Sequence, residues 1–288
     1  MSFVDGPVLA VAIDPGRLAA GIVDSDGEIL VRDRVSTPPR EVWRSLETLV
    51  SRVLAARPDD LPPPISVGVS CAGPLDLAAG SVTPELMPAW IGFALRDRLE
   101  LLTGLPVVLD SAAGAAAEAE RLFGDATEVR SFLTLMLGRT VESACVIDEV
   151  RLRGAHGNAG SLAHLTVEPD GLTCTCGASG CLSAYASSTS IEAEIKRPLR
   201  RATDSIIDRT GIMIGRAIAS SAAMFEVSTF LLSGVVLDTF GDPLLESIRR
   251  EVDLRSQLAA SEKLRVLESS GFIRSLVAAA SLPRSIDT

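Results

Sequence analysis

Four side chains in one short stretch have the types and spacing to hold a metal ion: His164, then Cys174, Cys176 and Cys181, within HLTVEPDGLTCTCGASGC. One imidazole and three thiolates suit a d10 zinc ion, which tolerates mixed nitrogen and sulfur donors and takes four of them when its role is structural. These are three of the chain's five cysteines and they fall within eight residues, a clustering that points to coordination. Gly177 and Gly180 fit the same reading, because the chain must fold back tightly between the second and third sulfurs and glycine does so without steric cost. A Cys174–Cys176 disulfide would be strained, and three sulfurs leave one over. The alternative, three free thiols and a surface histidine, leaves the spacing unexplained.

The elements that must position this loop can be read from hydrophobic period and turn chemistry. Val8–Asp14 is a short apolar β-rich run, followed by Pro15-Gly16, a second run from Ala19 to Asp24, the turn pair Asp26-Gly27, and ILVRDRV; together they predict a meander of three strands. Thr37-Pro38-Pro39 ends it. Apolar residues Val42, Leu46, Leu49, Val50, Val53 and Leu54 then recur at helical spacing over 41–56. Pro62-Pro63-Pro64 precedes ISVGVSCAG, which reads as a strand buried on both faces. Further on, helices are expected at 112–122, 203–225, 243–255 and 272–280, with strands at 131–137, 144–147 and 228–234.

Composition narrows the function classes. A chain of 288 residues, 47% hydrophobic and 22% charged, can bury a large core and is not disordered. No apolar run reaches the ~20 residues that span a membrane, and the start, MSFVDGPVLAVAIDPG, has no basic segment ahead of its apolar one. No membrane association and a reducing, cytoplasmic setting are therefore expected. A net charge of −10 argues against a sequence-independent grip on phosphate backbones, so direct nucleic-acid binding is not expected. The short basic run Lys196–Arg201 reads as a solvated helix end, His156 as an exposed loop histidine, and Trp43 and Trp90 as packing residues.

Several segments together resemble the ROK family of sugar kinases and repressors, within the actin-like ATPase group. VAIDPG followed by AAGIVD resembles the family's first strand, phosphate turn and second strand. SVGVSCAGPLD, GLPVVLDSAAGAAAEAER, RLRGAHGNAGSLAHLTV and CTCGASGCLSAYAS resemble its G-P-V-D, E-N-D-A-N, G-x-A-G-E-x-G-H and C-x-C-G-x-x-G-C-L-E motifs. The resemblance implies an α/β, two-domain actin-like ATPase (ribonuclease H-like) fold with an interdomain cleft and a zinc-binding insertion. The expected division is 1–111 plus the C-terminal helix (272–288) for the first domain and 112–271, with the zinc site, for the second. It also implies a homodimer.

The residues that would perform the family's chemistry depart from its pattern. Its first phosphate loop is two residues shorter here, Asp14-Pro15-Gly16-Arg17-Leu18, of which Asp14 and Gly16 persist. Its second, aligned on 137–144, keeps Gly138 but places Glu142 where like charge would oppose a triphosphate. The adenosine segment keeps Gly234, followed by Val235 and Val236, a β-branched pair expected to crowd a purine. Asp110 and Ser111 stand for the Glu and Asn of E-N-D-A-N, and Ala112 for its Asp, the catalytic base. A methyl group accepts no proton, and loss of a general base alone removes about 10²- to 10⁴-fold; Asp110 could substitute only after a two-residue register shift. Among the sugar-fixing positions Ser161 and Ser183 replace glutamates, Asn158 remains as a hydroxyl partner, and the resemblance lets His164 face sugar as well as metal. Zn2+ is thus expected as a structural cofactor and ATP/Mg2+ is not. The expected function is a catalytically degenerate, sugar-kinase-like protein that senses a carbohydrate or other small ligand or binds a partner. The alternatives are an ATP-dependent glucokinase or N-acyl-hexosamine kinase with relocated residues, and a transcriptional regulator lacking its own helix-turn-helix.

Overall fold

The computed structural model describes residues 6–256, 263–269 and 275–284. They form two compact units: residues 6–128, Arg153–Ala159 and 275–284 in unit 1, and Val129–Leu152, 160–256 and 263–269 in unit 2.

Unit 1 opens with β1 (Val8–Asp14), β2 (Arg17–Val23) and β3 (Ile29–Ser36), an antiparallel meander. β1 and β2 are buried except for Asp14 and Arg17 at their shared turn, whereas β3 alternates between half-buried and exposed, as an edge strand with one wet face does. α1 (Val42–Ala55) buries Val42, Leu46, Leu49, Val50 and Val53 along one face, each worth about 1.5–3 kcal/mol when fully buried. β4 (Ser66–Cys71), buried throughout, runs parallel to β1. A short ribbon of β5 (Leu75–Asp76) and β6 (Ser81–Val82) follows, then α2 (Leu95–Thr103), β7 (Val107–Ser111) parallel to β4, and α3 (Ala112–Phe123). The strand order is β3-β2-β1-β4-β7.

Unit 2 repeats that plan. β8 (Phe132–Leu137), β9 (Val141–Ile147) and β10 (Val150–Arg151) are antiparallel neighbours. After α4 (Ser183–Ala186), α5 (Ser188–Ile195) and α6 (Asp204–Phe225) comes β11 (Thr229–Ser233), parallel to β8. α7 (Val235–Phe240) and α8 (Asp242–Arg255) precede β12 (Arg265–Glu268), parallel to β11. The order β10-β9-β8-β11-β12 matches unit 1 strand for strand and direction for direction.

The division of the chain differs from a cut after Ser111. α3 stays in unit 1, where its Ala115 and Ala119 share an apolar cluster with Ala278 and Leu282; Ala278 belongs to the last helix, α9 (Ser275–Ser281). Arg153–Ala159 joins unit 1 too. α9 lies so close to β4 that a Cβ on Gly68 would sit 1.9 Å from the Ala279 carbonyl oxygen, so only glycine fits there. Phe272, expected to start that helix, lies outside the described residues. Among the described residues no helix is long and apolar enough to cross a membrane.

Candidate functional site

The metal loop is a pair of antiparallel legs joined by two tight turns. Its base is the Thr166–Cys181 bridge, with Val167 N–H donating to Gly180 O (2.8 Å) and Leu182 N–H to Leu165 O (2.9 Å). Its tip is a turn in which Gly177 N–H donates to Cys174 O and Cys174 N–H to Ala178 O (3.0 and 2.8 Å). Both glycines have positive φ, +91° at Gly177 and +80° at Gly180. At Gly180 the space is also forbidden, since a Cβ would stand 1.9 Å from Glu168 O. With the backbone bonded to itself, the side chains of His164, Cys174, Cys176 and Cys181 converge, and their ligand atoms lie within 4.8 Å of one another.

The spacing fits a tetrahedral ion. Bond lengths of about 2.3 Å to sulfur and about 2.05 Å to nitrogen give edges of about 3.8 Å between sulfurs and about 3.6 Å between sulfur and nitrogen. Cys176 Sγ lies 3.7 Å from Cys181 Sγ, and Cys174 Sγ lies 3.6 Å from His164 Nδ1. All three thiols are free of disulfides. Cys174 and Cys181 are buried while His164 and Cys176 are exposed, so the cage opens to solvent on one side. Burial pushes the Cys181 thiol up to about 12, whereas the Ala178 backbone N–H, with the Cys174 side chain second, draws Cys176 down to about 7. Of the two, the thiol on the open side is the easier to deprotonate.

Two arginines of α6 back the loop. Arg216 Nη1 donates to Val167 O (3.0 Å) and to the Glu168 carboxylate, and its Nε faces Glu251 of α8 at 3.4 Å. Arg209 makes a two-pronged pair with Glu194 and lies 5.4 Å over the Tyr185 ring, while Tyr185 Oη accepts Leu172 N–H at 2.7 Å. The approach into the loop is set by Ser143, whose hydroxyl donates to Gly160 O and accepts Leu162 N–H (2.7 and 2.6 Å). None of these was singled out from the sequence. For Arg216 a signal existed: it is the one charge in GIMIGRAIA.

The remaining expected site residues are occupied locally. The β1–β2 connection is a two-residue turn closed by the Asp14–Arg17 pair. Pro15 has no N–H, and Gly16 N–H donates to Asp14 Oδ1 at 2.7 Å, so neither turn residue presents a backbone donor to a phosphate. In the β8–β9 turn Gly138 N–H donates to Thr140 O (3.0 Å), Gly138 O accepts Ser188 N–H (2.8 Å), and Thr140 Oγ1 donates to the half-buried Glu142 (3.4 Å). Gly234, at φ +107°, passes so close to Leu137 that a Cβ would meet its carbonyl oxygen at 2.7 Å. The expectation that Val235 and Val236 both crowd a ligand is corrected here: Val236 is fully buried in the unit 2 core, and only Val235 is exposed.

At the β7–α3 corner Asp110, nearly buried, accepts Ser111 N–H (2.6 Å), and Ser111 caps α3 by accepting Gly114 N–H (3.0 Å). Asp110 pairs in register with Ser70 of β4, so no two-residue shift moves it to the position of Ala112, the half-buried first residue of α3. Asn158, expected as a hydroxyl partner, instead brackets Leu75: its Oδ1 accepts Leu75 N–H and its Nδ2 donates to Leu75 O (3.0 and 2.7 Å). Beside it the exposed His156 Nδ1 meets Asp76 Oδ2 at 3.2 Å, and the Asp76 carboxyl is held below its usual range, first by the Ala79 backbone N–H. Ser161 is exposed; Ser183 is buried and starts α4, its N–H donating to Ala163 O (2.9 Å). The structure thus gathers the four expected metal ligands at one point and finds Asp14, Asp110, Ser111 and Asn158 each bonded to its own neighbourhood.

The ROK family profile matches residues 9–283 of this chain. A glucokinase from Streptomyces coelicolor is 29% identical over 279 residues, covering 84% of this chain and 86% of that one. A crystal structure of a ROK family glucokinase from Streptomyces griseus, in complex with glucose and AMPPNP, aligns with a TM-score of 0.79 at 26% identity over 96% of this chain and 99% of that one. A ROK family transcriptional regulator, a homolog of the E. coli MLC protein, aligns with a TM-score of 0.84 at 23% identity, covering 98% and 78%, a likeness of fold. With its two α/β units of mixed sheet in this order, and a profile match over nearly its whole length, the chain belongs to the ROK family.

Proposed function

We propose that this sugar-kinase-like ROK protein is a pseudokinase: it holds a structural zinc through His164, Cys174, Cys176 and Cys181, and acts by sensing a carbohydrate or other small ligand or by binding a partner. One observation carries the reading. The position of the family's proton acceptor is Ala112, and the side chains beside it, Asp110 and Ser111, are bonded to backbone N–H groups of the same corner. Two further facts support it: the Pro15-Gly16 turn has no backbone donor to offer, and Glu142, second in β9, stands beside the β8–β9 turn and accepts from Thr140. Zinc, when bound, supplies structure here, because four protein ligands leave no open position for chemistry.

The second reading, an active ATP-dependent hexose or N-acyl-hexosamine kinase, is favoured by the 29% identity to a glucokinase over most of both chains. A coupled phosphotransfer assay with ATP·Mg2+ over a panel of hexoses and N-acyl sugars separates the two. Silence across the panel, with a sugar-dependent rise in melting temperature, is the expected result. Turnover at ordinary enzymatic rates, about 1–10³ s⁻¹, would establish the kinase instead.

A further inference from the structure

We propose that Arg216 is a positioning residue for the metal cage, setting zinc affinity from α6 without touching the ion; the inference rests on the zinc reading above. Its guanidinium, carried on α6, ties residues 167–168, on the inner leg of the loop, to Glu251 of α8. Nη1 takes the Val167 carbonyl and the Glu168 carboxylate, and Nε faces Glu251, which also accepts from Arg255 within α8. The inner leg is what places Cys181. Val167 and Glu168 donate their N–H groups to Gly180 O, one residue before that cysteine, and Thr166 bridges Cys181 directly. Gly180 in turn fits only because Glu168 O lies where a side chain would be. Moving 166–168 therefore moves the buried sulfur, and a tetrahedral site tolerates little displacement of one ligand.

The geometry of the fork matters. A carbonyl, a carboxylate and a second carboxylate on another helix are met by three N–H directions of one planar group, which a lysine, with its point charge, satisfies incompletely. Arg209, seven residues earlier on the same helix, holds the outer leg through Tyr185 and Leu172 N–H, so α6 braces both legs two turns apart.

The test uses the full chain purified without chelator: wild type, Arg216→Met, Arg216→Lys and Glu168→Gln. Zinc content is measured directly, the zinc dissociation constant by competition with a chromophoric chelator, and urea midpoints on zinc-loaded and zinc-stripped protein. Arg216→Met is expected to weaken zinc binding roughly 10- to 100-fold, Arg216→Lys to recover part of it, and the midpoint to fall more with zinc than without. Glu168 is partly exposed and Glu168→Gln keeps the side chain's shape, so a smaller loss in the same direction is expected from it even if the Met variant fails to fold. Wild-type zinc affinity in Glu168→Gln and any folded Arg216 variant, or equal loss of stability with and without zinc, would reduce Arg216 to packing and overturn the proposal. A wild-type protein without zinc would overturn the cage itself, and the inference with it, before any variant is compared.

Discussion

The metal loop of unit 2 and the β7–α3 corner of unit 1 are both tight turns lined by small polar or sulfur-bearing side chains, yet they treat their backbone N–H groups in opposite ways. In the loop, Cys174, Gly177, Gly180 and Leu182 donate to carbonyls of the same hairpin, so none of the four converging side chains is spent on these donors. Four ligand atoms are left to converge. At the corner side chains meet the backbone: Ser111 accepts Gly114 N–H in the first turn of α3, and Asp110 accepts Ser111 N–H. A side chain that caps the backbone is fixed in orientation and has fewer lone pairs left for a ligand. The same contrast separates the β1–β2 turn from the loop, since Asp14 satisfies Gly16 N–H just as Ser111 satisfies Gly114 N–H.

If the loop's side chains converge on a metal, removing the metal should produce the largest effect. Cys181→Ala takes away a buried ligand, and the zinc-loaded state loses its advantage. At free zinc 1,000 times the dissociation constant that advantage is about 4 kcal/mol, or a fall of about 10 °C in the transition of unit 2. Differential scanning calorimetry with metal analysis measures both. An unchanged melting temperature with zinc absent would show that the hydrophobic core alone determines stability there.

The two glycines of the loop sharpen the point. Both need positive φ, which costs another residue about 1–2 kcal/mol, but only Gly180 also faces a carbonyl oxygen at 1.9 Å, while nothing lies within 4 Å of a Cβ on Gly177. Gly180→Ala should therefore cost more than about 2 kcal/mol and impair zinc retention. Gly177→Ala should cost about 1 kcal/mol and keep the metal. Equal effects in urea titrations would mean that conformational strain, and not the Glu168 contact, dominates the turn.

Much of this was legible in the sequence, and the misses share a cause. Strand β1 and helix α6 were readable because seven and twenty-two residues carry unbroken patterns, and the grouping of His164 with Cys174, Cys176 and Cys181 because cysteine spacing is local information. The short α5 and α7, of eight and six residues, carry too few turns for a period to emerge. The assignment of α3 to unit 1 depends on Ala278 and Leu282, far along the chain, and the crowding attributed to Val236 depended on a direction that only packing against the unit 2 core decides. Ser111 shows the limit most plainly. A serine before an alanine-rich helix is also a helix-cap signal, and a motif alignment alone cannot say which role the side chain performs.

At the corner, the capping role of Ser111 predicts a modest effect. Ser111→Ala should cost about 1 kcal/mol, within the usual 0.5–2 for a lost cap, and Ser111→Asn should restore most of it. A change near zero would mean that Ser111 is not holding Gly114 N–H in solution and is available to a ligand.

The smallest expected effect is the one that bears most on function. ATP·Mg2+ should leave the melting temperature of the wild-type chain unchanged, and Ala112→Asp, which returns a carboxylate to the base position, should give no measurable phosphotransfer by itself. The reason lies outside the corner. A base acts only on a substrate held in line with bound phosphate, and the Pro15-Gly16 turn offers no free backbone donor while Glu142 stands half-buried beside the second turn. Glu142→Gln in the Ala112→Asp background removes the opposing charge and adds only a side-chain amide donor, no backbone ones, so weak ATP binding without turnover is expected from the pair. Should Ala112→Asp alone transfer phosphate to a hexose, the phosphate turns must rearrange on binding, and the comparison between corner and loop would then describe the ligand-free chain only.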